Sequence, residues 1–174
     1  MGLEEIVDIA KSFLGAPSIH FPGYGNGGNM PDGFDCSGFV QYVLLEAGYN
    51  LPPAQRSGAD GPIRTTDEFW DLFGVQVHRR FLQPGDLVFE SRNGWMPTHT
   101  GIYVGVEGIR GIKRHAVIHA PGRDNTEVKM VLLSSWRGPP RFNPESGYDQ
   151  LYGRNPIGFK RPMNYDRTRF KPKN

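Results

Sequence analysis

A single cysteine stands in the 174 residues, so the chain can form no internal disulfide and no thiolate-rich metal knuckle. Long apolar runs are missing as well. Nothing approaches the roughly 20 consecutive residues needed to cross a bilayer, and no membrane span is expected. The opening residues carry Glu4, Glu5 and Asp8 where a secretory signal would be basic and then apolar. No export leader is visible, and Ile6 occupies the position where N-myristoylation requires Ser or Thr. Net charge is small, +2 overall, and unevenly spread: the stretch from Lys160 onward carries +5 and the remainder −3. A short basic tail is ordinarily solvated, and nucleic acid is not expected as a partner.

What is present is enough for an ordinary core. Hydrophobic residues make up 37% and aromatics 12%, too apolar a composition for disorder. The length suits one domain that buries roughly 70% of its unfolded surface. There is no internal repeat and no linker that would divide it.

Leu3, Ile6, Val7, Ala10, Phe13 and Leu14 follow helical spacing until Gly15-Ala16-Pro17, which predicts a helix over 3–14. A glycine-rich loop follows, from Phe21 to Asn29. Asp35 to Gly48 reads as a second helix, with Asp35 as N-cap, Gly48 as the stop, and Cys36 in the first turn on the apolar stripe of Phe39, Val40, Val43, Leu44 and Ala47. Residues 49–66 read as loop, and 67–73 as a short helix. After Gln83-Pro84-Gly85 the period changes, and strands are expected at 86–89, 99–105, 114–120, 128–133 and 157–160. Helices first and strands later indicate an α+β domain with an antiparallel sheet.

A cysteine in the first turn of a helix points its sulfur at unpaired backbone N–H groups and the positive end of the helix dipole, which favours the thiolate. The bland alternative is a small buried hydrophobe, but Asp35, Ser37 and the glycines at 33 and 38 are unusual neighbours for a core position. A nucleophilic thiol needs an imidazole base and a group to orient that base. His20 and His78 fall in predicted loops. His99 begins a strand in which alternation puts it on one face with Gly101, Tyr103 and Gly105, small residues that leave room for a ligand. His115 and His119 share one face of the next strand, and either can serve as the orienting group. His119 has the better setting, because Ala120-Pro121-Gly122 turns the chain just after it.

Four blocks, Phe34-Asp35-Cys36-Ser37-Gly38-Phe39-Val40, Leu82 to Phe89, His99 to Gly105 and Val117 to Gly122, closely resemble in order those of the NlpC/P60 family of cell-wall cysteine peptidases. The related CHAP amidases fit less well, since they lack the Asp-Cys-Ser-Gly block. The resemblance implies a papain-like α+β fold in which the helix of the nucleophile packs on the antiparallel sheet. A single catalytic domain over 1–160 with a basic tail over 161–174 is expected, the resemblance covering roughly residues 3–133. By position, Cys36 becomes the nucleophile, His99 the general base and acid, and His119 the third member of a Cys-His-His triad, with no metal and no cofactor. Asp35 and Ser37 match positions that recognise a substrate amine. The implied substrate is a peptidoglycan stem peptide, cut between D-Glu and a diamino acid, by a monomer. The expected location is cytoplasmic unless the chain is exported by a route without a signal.

Two features depart from the family. Its members carry Pro-Tyr-x-Trp-Gly-Gly before the cysteine, where this chain has Pro17 to Gly23, and Tyr24 is the candidate to replace that tyrosine from a shifted register. Residues 134–174 match no family element. The altered loop leaves open an amidase or acyltransferase acting on another amide or ester. A silent domain that binds wall peptide, and a zinc site on Cys36, His99 and His119, are weaker alternatives.

Overall fold

Helix α1 (Leu3–Ser12) buries Ile6, Val7 and Ala10, the residues that recur on one face, and carries Glu4 and Glu5 in its first turn and Lys11 in its last, as the helix dipole favours. It stops two residues short of the expected end. There the chain turns through Gly15, at φ 87°, whose N–H donates to the Val128 carbonyl. The computed structural model describes residues 2–19, 29–30, 33–55, 61–91, 96–109, 111–136 and 157–166.

Helix α2 (Cys36–Glu46) is central. Phe39, Val40, Val43 and Leu44 are fully buried, and burying each side chain of this size contributes about 2 kcal/mol. Asp35 caps it as expected, and Gly48 leaves it at φ 75°. Phe34, just before the cap, makes edge contacts with Phe13, Phe39 and Tyr42 at ring separations of 5.4 to 5.6 Å, joining the two helices. Helix α3 (Thr66–Leu72) begins one residue earlier than the apolar pattern indicates, because Thr65 and Glu68 form a capping box.

Six strands form an antiparallel sheet in the order β4 (Val75–Gln76), β10 (Ile157–Arg161), β5 (Leu87–Glu90), β6 (His99–Ile109), β7 (Ile112–His119), β9 (Lys129–Leu132). Each expected strand is present, and β6 runs four residues past its expected end. A smaller sheet joins β2 (Asn29–Met30), β3 (Gly33–Phe34), β1 (Pro17–Ser18) and β8 (Thr126–Glu127). Two-residue strands have no readable period, and only the expected strand over 128–133 reached near one of them.

The large sheet is covered on both faces. Leu87, Phe89, Ile102, Val104, Ala116 and Ile118 join the cluster built on α1, α2 and α3. Val88, Tyr103, Val117 and Phe159 point the other way, into a second cluster closed by Leu133 and Trp136. The chain is thus α+β, with the helix that begins at Cys36 packed on one face of an antiparallel sheet. Lys160 and Arg161 are sheet residues rather than the start of a solvated tail. Lys160 Nζ donates to the Trp70 carbonyl, and Arg161 Nε donates at 2.9 Å to the buried Asp86 carboxylate.

Candidate active site

Cys36 is the first residue of α2, so its sulfur lies in the turn that Asp35 caps. Asp35 Oδ1 accepts from the Gly38 N–H at 2.8 Å. Cys36 Sγ shares a hydrogen bond with Thr66 Oγ1 at 3.7 Å, and the backbone N–H groups of Thr100 and Ser37 also act on it. The contact with Thr100 brings the sulfur to the start of β6, beside the residue that follows His99. The sequence reading expects a thiol poised toward thiolate by the helix dipole. Two influences in the structure oppose it, although Cys36 keeps part of its surface exposed. Burial pushes the Cys36 thiol up and the Asp35 carboxylate adds to this, while Thr66 and the two N–H groups pull down.

The two histidines meet because the start of β6 lies beside the end of β7 in an antiparallel pair whose register sets Ile102 against Ile118. His99 Nε2 and His119 Nδ1 are 2.7 Å apart, with the rings edge to face at 85°. Gly101 permits this approach. A Cβ there would lie 2.8 Å from the Ile118 carbonyl oxygen and 3.0 Å from His119 Cβ. The space over Gly101 that alternation assigns to a ligand is therefore filled by β7. Trp136 stacks on His99 with ring centres 5.0 Å apart and meets His119 edge-on at 5.4 Å. His115, the other candidate partner, hydrogen-bonds and stacks with Tyr103.

On the other side of Cys36 lies a polar wall. Arg64 pairs with both carboxylate oxygens of Asp35 and donates to Ser37 Oγ at 2.9 Å. Arg64 and Ser37 are buried, so the charge of Asp35 is balanced inside the protein. Glu68, fully buried, accepts from the N–H groups of Gln55 at 2.8 Å and Arg64 at 2.9 Å, which fixes the segment carrying Arg64 and Thr66. Beyond the histidines a cavity of about 310 Å³ opens, lined among others by Glu90, His99, His119, Arg123, Lys129 and Trp136.

The structure thus brings Cys36, Asp35 and Ser37 to one end of α2 and pairs His99 with His119 at the adjoining strand ends. Tyr24 and His20 lie outside the described residues, and His78 caps a short turn over 79–81. Among the described residues no group of three His, Cys, Asp or Glu side chains is arranged to hold a metal ion, and no helix is long and apolar enough to cross a membrane. Sequence reading missed Arg64, Thr66 and Trp136. For the first two a signal existed: Thr65 and Glu68 are spaced as a capping box, and an arginine directly after apolar Ile63 calls for a carboxylate partner. Nothing local marked Trp136, whose partners are 37 and 17 residues away along the chain.

The comparisons agree with this architecture. The NlpC/P60 family model matches residues 22–138. A γ-DL-glutamyl hydrolase from Bacillus subtilis is 35% identical over 106 residues, 59% of this chain and 21% of the relative, so the chain spans about a fifth of that protein's length. A crystal structure of an NlpC/P60 family protein from Bacillus cereus superposes with a TM-score of 0.62 at 24% identity, over 93% of this chain and 40% of that one. The NlpC/P60 domain of the peptidoglycan hydrolase SagA gives a TM-score of 0.51 at 29% identity, over 76% of this chain and 91% of that one. With a family model over more than half of its length and the fold of family structures, the chain belongs to the NlpC/P60 family.

Proposed function

We infer that the protein is a cysteine hydrolase of peptidoglycan stem peptides, an endopeptidase cutting between D-Glu and a diamino acid. The observation that carries this reading is the 2.7 Å pair of His99 and His119 at the strand ends that Cys36 approaches from the head of α2. Because Nε2 of His99 is engaged by His119, the thiol proton would be taken at Nδ1, the ring nitrogen opposite. Burial and Asp35 raise the Cys36 thiol, and the thiolate forms as His99 accepts its proton. The thiolate then attacks the amide carbonyl, and the oxyanion is held in part by backbone N–H at the head of α2. His99 returns the proton to the leaving amine, and a thioester remains on Cys36. Water, deprotonated by His99, cleaves the thioester, freeing the acid and restoring the thiol. Trp136 and His119 hold the imidazole in one orientation throughout. Asp35 and Ser37 form, with Arg64, the polar wall on the acyl side, where a substrate amine would compete with Arg64 for Asp35.

The choice of substrate is supported by SagA, described as a peptidoglycan hydrolase, and by the relative described as a γ-DL-glutamyl hydrolase. One domain over 1–160 would carry this chemistry. The test is incubation of the protein and of Cys36→Ala with purified stem peptides of several chemistries, with fragments identified by mass spectrometry. The parent should cut one defined bond and the variant none. Cleavage by Cys36→Ala, or no cleavage by the parent on any stem peptide, overturns the reading.

A further inference from the structure

We propose that Arg123 and Lys129 form a subsite for a free carboxylate on the residue released as the amine, so that the protein selects substrates whose leaving residue is anionic. This rests on the hydrolase reading above. The side of the cleft follows from the chemistry: the imidazole that protonates the leaving nitrogen must adjoin the leaving residue. The cavity of about 310 Å³ lined by His99 and His119 is therefore the place where that residue sits.

The charges in this cavity are set by sheet register. Lys129 is the direct cross-strand partner of His119, and Glu90 that of His99. Directly opposed residues of an antiparallel pair project on the same face. The row from β5 to β9 thus reads Glu90, His99, His119, Lys129, with a carboxylate at the His99 end and an ammonium at the His119 end. Arg123 adds a second cation at the positive end. It lies in the turn after Gly122, held where Thr126 Oγ1 donates to the Arg123 carbonyl at 2.6 Å and Asn125 takes φ 58°. Both cations are solvent-exposed side chains that line the cavity, and neither makes an ion pair with a carboxylate among the described residues. The two together offer several donors to one anion.

The experiment uses two stem peptides that differ only at the leaving residue, one with a free carboxylate and one with the isosteric carboxamide. The ratio of kcat/KM for the pair is measured for the parent, Arg123→Gln, Lys129→Gln and the double variant. The parent should favour the carboxylate by about tenfold or more, as expected for a charge-assisted contact. The double variant should favour it by less than about threefold, with turnover of the carboxamide little changed, which a merely structural role would not produce. Equal use of the two peptides by the parent, or the same preference in the double variant, overturns the proposal and leaves the hydrolase reading intact. Cleavage of neither peptide removes both.

Discussion

At the scale of single residues, the thiol is governed by competition between burial and a few donors. Thr66 is the side chain among them, at 3.7 Å from Cys36 Sγ, and its hydroxyl is missing from any argument based on the cysteine and histidine blocks alone. Thr66→Val keeps the shape and removes the donor, and Thr65 still caps α3. Loss of one hydrogen bond of about 1 kcal/mol should slow alkylation of Cys36 by iodoacetamide at neutral pH about fivefold and move its pH profile upward. An unchanged profile would show that Thr66 does not act on the thiol. His115 illustrates a different point. Its place on the same strand face as His119 qualified it as a partner for His99, but register sets it against Val106, and its ring bonds to Tyr103.

Among elements, the pairing of β6 with β7 decides whether a histidine dyad exists. The ladder needs close approach at Gly101, where the obstacles to a side chain are the Ile118 backbone and the packed Val117. Gly101→Ala should cost roughly 1–3 kcal/mol by overpacking, and should lower kcat/KM further than that loss of folded protein explains, by separating His119 from His99. Gly108, on the same strand with open space around it, is the control, and Gly108→Ala should leave both quantities nearly unchanged. Urea denaturation and peptide cleavage measure the two effects. Equal behaviour of the two variants would remove the packing argument. The helices were more legible than this pairing. Periodicity, the Asp35 cap and the Gly48 stop are local signals, and α2 formed where they placed it.

For the molecule as a whole, the last described strand ties the sheet to the helices through a buried charge. Lys160, on β10, reaches the Trp70 carbonyl of α3, and burial lowers its pKa to about 8 despite the favourable influence of Asp71. A folded-state value below the unfolded one means that the unfolded chain holds more protons between about pH 8 and the ordinary lysine range. This group therefore opposes folding fully below pH 8, by about 3 kcal/mol, and its penalty fades as pH rises through that window. Lys160→Met removes the penalty and the bond to Trp70, so the variant should be about 1–2 kcal/mol more stable at pH 7. Its advantage should shrink toward pH 10. Urea denaturation of both proteins across this range checks the prediction, and a difference that does not vary with pH would refute it. Cys36, whose raised pKa acts in the opposite sense at alkaline pH, is common to both and cancels.

The sequence by itself determined the longer elements and singled out Cys36, His99 and His119, because helix period, capping, strand alternation and each of the four blocks are local signals, each written within a few residues. It did not determine which of those groups meet. That His119 rather than His115 faces His99, that Trp136 covers the pair, that Arg64 neutralises Asp35, and that Lys160 lies inside the sheet depend on register and on packing between distant segments. The thiol shows the difference most directly. Its place at a helix start, a local fact, favours the thiolate. Its surroundings, which the assembled helix and sheet create, push the thiol up against that preference.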